Sequence, residues 1–106
     1  MKDSLSTQEV KNLFNKQKRI KGKDFSLLIG SEGGAPFRFA VIPAGCKGAN
    51  KRNAVRRKVR EAVRALRKVL PAGKTCALIT SEKILFKKPQ EVKDAVEKIF
   101  KENELL

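Results

Sequence analysis

Several residue types with common chemical roles are absent or scarce in this sequence. The 106-residue chain has no His, Trp or Tyr, and its only cysteines are Cys46 and Cys76. Two separated thiols without His do not form a usual zinc site. Nucleophilic and general-base mechanisms also lack their usual members. We therefore predict that the protein has no catalytic residues of its own, no metal ligands and no tightly bound cofactor.

Long apolar runs are missing as well. None is longer than four residues, the length of CALI at residues 76–79, which is far too short to cross a bilayer. The first ten residues, MKDSLSTQEV, lack the apolar segment of a signal peptide. We expect a soluble cytoplasmic protein with no membrane partner. Two cysteines are enough for a disulfide, but a cytoplasmic setting favours reduced thiols.

Acidic residues are too few to balance the basic ones. There are 25 Lys and Arg against 11 Asp and Glu, which gives a formal net charge of +14. An excess this large in a small domain repels itself unless a polyanion relieves it. Nucleic acid is the usual polyanion for such a chain, and an anionic membrane surface is the alternative.

The sequence does contain a succession of amphipathic segments, which begins with a helix. Ser6 and Glu9 have the spacing of a capping box, which predicts a helix start. The helix that follows carries Val10, Leu13 and Phe14 on one face.

Two strands are predicted next. Residues 24–30 (DFSLLIG) and residues 37–42 (FRFAVI) both alternate apolar side chains. Between them, residues 31–36 (SEGGAP) contain a Gly pair that is typical of a tight reversal. We therefore predict that the two strands pair with each other as a hairpin.

The second half of the chain predicts two more helices and one more strand. A long helix is expected at about residues 51–70, a buried strand at residues 75–80 (TCALIT), and a last helix that starts with Pro89. The pattern of residues 81–88 is ambiguous and assigns no element to them. The order is α-β-β-α-β-α, with room for a further strand split from the hairpin. It predicts one α+β domain over residues 1–106.

The helix at residues 51–70 is the most informative segment. At about 100° per residue, its apolar side chains fall in one sector. They are Val55, Val59, Ala62, Val63, Leu66, Val69 and Leu70. A cationic sector adjoins it and consists of Asn53, Arg56, Arg57, Arg60, Arg64, Arg67 and Lys68. Glu61 is the only acid in the helix, so neutralising pairs between adjacent turns are nearly absent.

Three interpretations of this cationic sector are open. A charged helical face is usually a solvated surface, but such faces mix charges of both signs. A basic amphipathic helix also suits a membrane surface, but here the apolar side has no Trp or Phe and is sized for packing on a sheet. Arg has a planar fork that suits phosphate oxygens, and Asn53 can hydrogen-bond to sugar, phosphate or base edges. We therefore predict nucleic-acid binding.

The start of this helix resembles the signature of a known family. Residues 52–62 (RNAVRRKVREA) are similar to the Arg-Asn-Arg helix of the bacterial ribonuclease P protein subunit, with Ala54 in place of the third signature residue. Phe14 and Phe25 have the separation of two aromatic residues of that family, although Val10 stands where many relatives have Phe. The short apolar strand and the closing helix match in order and length.

The resemblance implies both a fold and a function. The fold is a two-layer α-β sandwich with a small mixed sheet and a left-handed β-α-β crossover that contains the basic helix. The function is that of the protein subunit of ribonuclease P, an endoribonuclease. This subunit binds the catalytic RNA and the 5′ leader of precursor tRNA and so assists 5′-end maturation. In that family the RNA subunit supplies the active site and its Mg²⁺ ions, so the protein alone is expected to be non-catalytic and monomeric.

The resemblance also assigns residues to roles. A cleft between the first helix and the sheet is expected to receive the leader, with Phe14 and Phe25 lining it. The residues expected to contact the RNA subunit are Lys51, Arg52, Asn53, Arg56, Arg57, Arg60, Arg64 and Arg67. The alternative is a structural or ribosomal-type RNA-binding protein, which would share the small size and the basicity but have no role in tRNA processing.

Overall fold

Three α-helices and four strands are present in the computed structural model, which describes residues 4–31, 33 and 36–105. The helices are α1 (Thr7–Lys16), α2 (Ala49–Ala65) and α3 (Pro89–Glu102). The strands are β1 (Ile20–Lys21), β2 (Ser26–Ser31), β3 (Arg38–Pro43) and β4 (Lys74–Thr80). Two short 3-10 helices, Arg67–Val69 and Glu82–Phe86, follow α2 and β4. The predicted α+β class is confirmed.

The strands form one mixed sheet in the order β1-β2-β4-β3. β4 runs antiparallel to β2 and parallel to β3, so it separates the two strands that were predicted to pair. The predicted hairpin is therefore wrong, and its turn at residues 31–36 lies partly outside the described residues. Residues 75–80 are all buried. A strand that is apolar on both faces loses more water-exposed surface at the centre of a sheet than at its edge.

α2 connects the parallel neighbours β3 and β4. Phe39 lies opposite Cys76 in the ladder, and Val41 lies opposite Leu78. Parallel neighbours cannot be joined by a tight turn and need a long crossover, which is usually helical. The β-α-β crossover expected from the resemblance is present, and its left-handed sense stays a prediction.

The additional strand comes from the basic stretch that follows α1. β1 pairs antiparallel with β2, with Ile20 opposite Leu27. The sequence analysis placed a further strand in the hairpin, and this position was wrong. Ile20 packs against the core, which explains why so basic a segment lies along the sheet edge.

The two faces of the sheet carry different helices. Side chains alternate along a strand, so Leu27 and Leu78 face one side while Leu28 and Ala77 face the other. α2 and α3 complete the large core around Leu27 and Leu78. On the opposite face, Leu13 of α1 packs against Leu28 and Ala77. The expected α-β sandwich is confirmed, and α1 covers part of its second face.

The capping box predicted for α1 is confirmed. The Ser6 hydroxyl accepts a hydrogen bond from the Glu9 backbone N–H, and the Glu9 carboxylate accepts one from the Ser6 backbone N–H. α3 begins with Pro89 and buries Val92 and Val96, as the sequence pattern indicates. Within the described ranges, no helix has both the length and the apolar character needed to span a bilayer.

α2 is shorter than predicted at its C-terminal end. It ends at Ala65, and Leu66 leads into the 3-10 helix Arg67–Val69. Val69 was expected in the apolar sector but is 63% exposed. A 3-10 helix has about three residues per turn, so it rotates later side chains away from the stripe that α-helical spacing would give.

Candidate nucleic-acid interface

α2 is fixed to the molecule by its apolar side. Val55 and Val59 are fully buried, and Val63 is nearly so. The helix also packs against α3 and against the 3-10 helix Glu82–Phe86. Because these contacts hold α2 along its length, its cationic sector is held facing outward.

The outward side of α2 forms a cation-lined groove of about 320 Å³. Arg56 Nη1 donates a hydrogen bond to Asn53 Oδ1 at 3.2 Å, which orients both side chains at the surface. We call this surface the α2 face and define it by Asn53, Arg56, Arg57, Arg60 and Arg64, all of which line the groove together with Glu61.

The α2 face has little internal charge compensation. Among the described residues, no carboxylate forms an ion pair with Arg56, Arg57 or Arg60. The first turn of α2 contains no acid, and Gly48 provides no side-chain cap for its N–H groups. The positive end of the helix dipole therefore adds to the charge of the side chains. Such a surface suits phosphate oxygens, which accept charge-assisted and often bidentate hydrogen bonds from Arg.

The remaining predicted RNA ligands lie near the ends of α2. Lys51 is exposed and forms an ion pair with Glu82, with 3.0 Å between Nζ and Oε2. Arg52 is half-buried, and Arg67 is exposed just beyond the end of α2. The predicted cations from Lys51 to Arg64 therefore lie on α2, and Arg67 lies in the 3-10 helix that follows it.

The two predicted leader-binding aromatics are not brought together. Phe25 is 2% exposed and lies in the core on the α2 side of the sheet. Phe14 is 47% exposed on α1, whose Leu13 packs on the opposite face. Stacking on a base requires an accessible ring face. Phe14 provides one, whereas Phe25 does not in this conformation.

A cavity of about 220 Å³ lies between α1 and the sheet, where the leader cleft was expected. α1 contributes Glu9 and Lys16 to its lining, and the strands contribute Gly30 and Thr75. A Cβ added to Gly30 would lie 2.6 Å from Leu13, so the glycine allows α1 to approach β2 closely. The lining is mixed, with Leu5 and Leu13 beside polar side chains, and Lys16 is its cation.

Two notable side chains were not singled out by the sequence analysis. Phe86 is 87% exposed and lies in the segment for which no element was predicted. The sequence feature that could have indicated a role for Phe86 is its position directly before two cations, Lys87 and Lys88. Arg38 forms a bidentate ion pair with Glu9, with both N···O distances 2.7 Å. Nothing in the alternating pattern around Arg38 indicates which acid it would meet.

Glu9 and Cys76 have shifted pKa values. The pKa of Glu9 is lowered, first by the hydrogen bond from the Ser6 backbone and then by the Arg38 side chain. Burial raises the pKa of the Cys76 thiol far above its usual range, so this thiol stays protonated. Cys46 and Cys76 are both free, in agreement with the favoured prediction.

Comparison with known proteins decides the family. A sequence model described as Ribonuclease P matches residues 4–104 of the chain. The chain belongs to the ribonuclease P protein family. RNA binding and the processing of tRNA 5′ ends follow from this membership, as does a role in a ribonuclease P holoenzyme with an RNA partner.

Solved structures of ribonuclease P proteins share the fold. The Staphylococcus aureus RNase P protein superposes with a TM-score of 0.82 at 13% identity, covering 99% of this chain and 98% of that chain. The RNase P protein from Thermotoga maritima gives a TM-score of 0.80 at 21% identity, covering 95% of this chain and 97% of that chain. Among curated protein sequences, none matches this chain significantly.

Proposed function

We propose that the chain is the non-catalytic protein component of ribonuclease P and that the α2 face binds phosphates of the RNA subunit. The outward, poorly compensated charge of the α2 face carries this proposal. Lys51 and Arg52 lie in the first turn of α2, and Arg67 lies just beyond its last residue. Cations that neutralise phosphates release condensed counterions and reduce the repulsion between two RNAs. The protein thereby favours the complex of the catalytic RNA with its substrate.

The proposal assigns phosphodiester hydrolysis to the RNA subunit. The described part of the chain has no group of three His, Cys, Asp or Glu residues that could hold a metal ion. The Mg²⁺ ions that the reaction requires are, in this proposal, held mainly by the RNA. The protein contributes charge screening and positioning, acts as a monomer and works in the cytoplasm.

We further propose that precursor tRNA is held through its single-stranded 5′ leader at α1. The cavity between α1 and the sheet supports this role, since its lining combines apolar side chains, which can contact bases, with Lys16, which can meet a phosphate. The exposed ring of Phe14 offers a stacking surface that tolerates any base. A leader-binding role for Phe25 stays a prediction, and it would require the buried ring to become accessible.

Cleavage of a precursor tRNA by a bacterial ribonuclease P RNA, with and without the protein, tests the proposal. Low Mg²⁺ is chosen because phosphate repulsion is then poorly screened and the contribution of the protein is largest. We expect stimulated cleavage at the mature 5′ end and no cleavage by the protein alone. Tight RNA binding without stimulation would support the structural RNA-binding alternative, and cleavage by the protein alone would contradict the assignment of hydrolysis to the RNA.

Phe14→Ala tests the leader site. We expect weaker binding of a precursor with a 5′ leader, by about 1–3 kcal/mol for one lost base stack, and unchanged binding of mature tRNA to the holoenzyme. Phe14 is half-exposed, so the thermal midpoint should change little. Phe25→Ala is the contrasting variant, because it should instead destabilise the fold by about 3–5 kcal/mol through lost core packing. Equal affinity of wild type and Phe14→Ala for the leader-bearing precursor would exclude the stacking role.

A further inference from the structure

Phe86 is the most exposed large hydrophobic side chain in the described part of the molecule. It is 87% exposed, whereas Val69 and Phe14, the other exposed ones, are at 63% and 47%. Single apolar residues at a surface are common. A whole phenyl ring in water is less so, because burying it would stabilise the fold by about 2–3 kcal/mol. Its exposure leaves both ring faces available to a partner.

The backbone beneath Phe86 is held firmly. Ile84, two residues earlier in the same 3-10 helix, is 2% exposed and anchors the segment in the core. Lys58 of α2 donates from Nζ to the Leu85 carbonyl oxygen at 3.2 Å. The ion pair between Lys51 and Glu82 adds a second link to α2. These contacts fix the base of the side chain, so the exposed ring is presented from a rigid support beside α2.

Lysines flank Phe86 on both sides in the sequence. Lys83 precedes Phe86 in the 3-10 helix, and Lys87 and Lys88 follow it directly. Lys87 Nζ lies 3.8 Å from Asp24 Oδ1. Lys83 and Lys88 are exposed, and neither forms an ion pair with a described carboxylate. An aromatic ring among flexible cations is the arrangement that binds single-stranded nucleotides, because the base stacks while the cations meet the phosphates.

We propose that Phe86 is a stacking platform for an unpaired base of the RNA that the α2 face binds. The RNA then extends from the α2 face around the side of α2 that carries Lys51 and Lys58, which contact the 3-10 helix Glu82–Phe86. This inference rests on the proposed function, because it needs RNA on α2. A membrane partner fits less well, since insertion into lipid requires a broad apolar face, and Phe86 is flanked by Lys residues.

The absence of Trp and Tyr from the chain allows a direct optical test. Phe86→Trp introduces a single Trp at the proposed platform, and Phe14→Trp introduces one on the opposite face of the sheet. Each variant is titrated with a bacterial ribonuclease P RNA, without precursor tRNA. We expect the emission of the first variant to be quenched in step with RNA binding, and that of the second to stay nearly constant. Equal quenching in both variants, or none in the first, would overturn the proposal.

Affinity measurements distinguish stacking from a general apolar contact. Phe86→Ala and Phe86→Leu should each weaken RNA binding by about tenfold, while Phe86→Trp should retain or increase it. The thermal midpoint of all three should match wild type because the ring buries so little surface. Wild-type affinity of the Ala or Leu variant would overturn the proposal.

Two further results distinguish the stacking role of Phe86 from the RNA-binding role of the α2 face, and an RNA partner from a membrane partner. If Phe86→Ala binds RNA normally while Arg56→Glu does not, the platform is refuted but the α2 face stands. If neither variant weakens binding, the proposed function of α2 fails as well. A blue shift of the Phe86→Trp emission with phosphatidylglycerol vesicles, together with no response to RNA, would replace the RNA partner with a membrane.

Discussion

Arg38 and Glu9 join the first helix to the edge of the sheet through two parallel hydrogen bonds. Arg38 also donates to the Ser4 carbonyl oxygen at 3.0 Å, so the segment before α1 is held by the same guanidinium. The Glu9 carboxylate serves at the same time in the capping box of α1. One acid therefore supports both the start of a helix and its attachment to β3.

The lowered pKa of Glu9 makes stability depend on pH. Its folded-state pKa lies below the ordinary value of 4.5, so the unfolded chain takes up a proton first as the pH falls. The stabilisation by the ionised Glu9 carboxylate is complete at pH values above the ordinary pKa. It is lost as the pH falls through the folded-state pKa. We expect Glu9→Gln to lower the free energy of unfolding by about 1 kcal/mol at neutral pH. In acid, the difference in this free energy between wild type and the variant should disappear.

Urea titrations of both proteins from neutral pH into the acid range would measure this gap. Other carboxylates titrate in the same range, so the difference between wild type and Glu9→Gln is the informative quantity. A difference that stays constant with pH would show that ionisation of Glu9 does not contribute to the stability.

The two thiols should differ sharply in reactivity. Cys46 is partly exposed in the loop after β3, whereas Cys76 is fully buried in β4 and its raised pKa keeps it protonated. The thiolate is the reactive form. We expect iodoacetamide to modify Cys46 alone in the folded protein and Cys76 only in denaturant. Mass spectrometry of Cys46→Ser provides the check, since any labelling of this variant under native conditions would contradict the burial of Cys76.

The two sides of α2 have different roles: its apolar side packs in the core, and the α2 face on its other side is proposed to bind RNA. Arg56→Glu and Arg60→Glu should each weaken RNA binding and reduce the slope of log affinity against log salt by roughly one unit per lost phosphate contact. Stability should change little, because neither side chain belongs to the buried sector around Val55 and Val59.

Lys98→Glu is the matched control for these charge reversals. It changes the net charge by the same amount, but Lys98 lies on α3 in a cavity beside Lys21 and Lys23 and not on the α2 face. We expect nearly wild-type affinity and salt slope for this variant. If all three reversals had the same effect, total charge and not the α2 face would govern binding.

The sequence predicted helices better than strand partners, and the reasons are physical. The capping box at Ser6 and the Pro89 start depend on nearby residues, so local spacing is sufficient to predict them. The pairing of β3 with β4 depends on a distant segment. The Gly pair in SEGGAP favours a hairpin locally, while the uninterrupted apolar run of β4 makes the centre of the sheet more favourable for that strand.

The candidate site was predicted unevenly for similar reasons. The cations of α2 repeat with helical spacing, so the sequence alone predicts that they share one face of the helix. The burial of Phe25 depends on helices that come later in the chain. The exposure of Phe86 depends on a 3-10 helix, which is too short to leave a periodic pattern. Apolar residues outside a clear period therefore could not be assigned to core or surface.

The whole molecule holds a formal charge of +14 within a radius of gyration of 12.8 Å. In physiological salt, exposed charges farther apart than about 8 Å are largely screened, so the repulsion acts mainly between neighbouring cations, such as those of the α2 face. Multivalent anions that bind the folded form should therefore stabilise it. We expect sulfate at about ten times its dissociation constant to raise the thermal midpoint by about 5 °C over chloride at equal ionic strength.

The α2 face should account for much of this effect. The double variant Arg56→Glu and Arg60→Glu should respond less to sulfate than wild type, whereas Lys98→Glu should respond almost normally. Thermal scans in matched sulfate and chloride series give the comparison. Identical midpoints in the two salts would indicate that no anion site contributes to the stability of the free protein.

The central position of β4 also sets an order of events during biosynthesis. β2 and β3 are made early, yet each has its longest partner in a strand that is synthesised some thirty residues after β3. A nascent chain that ends before Lys74 already contains all of α2 but lacks the strand that joins the sheet. An RNA that met the chain on the ribosome would encounter a basic segment without its scaffold. The native sheet can then form only after the last strand has emerged, and the core only after α3 has followed it.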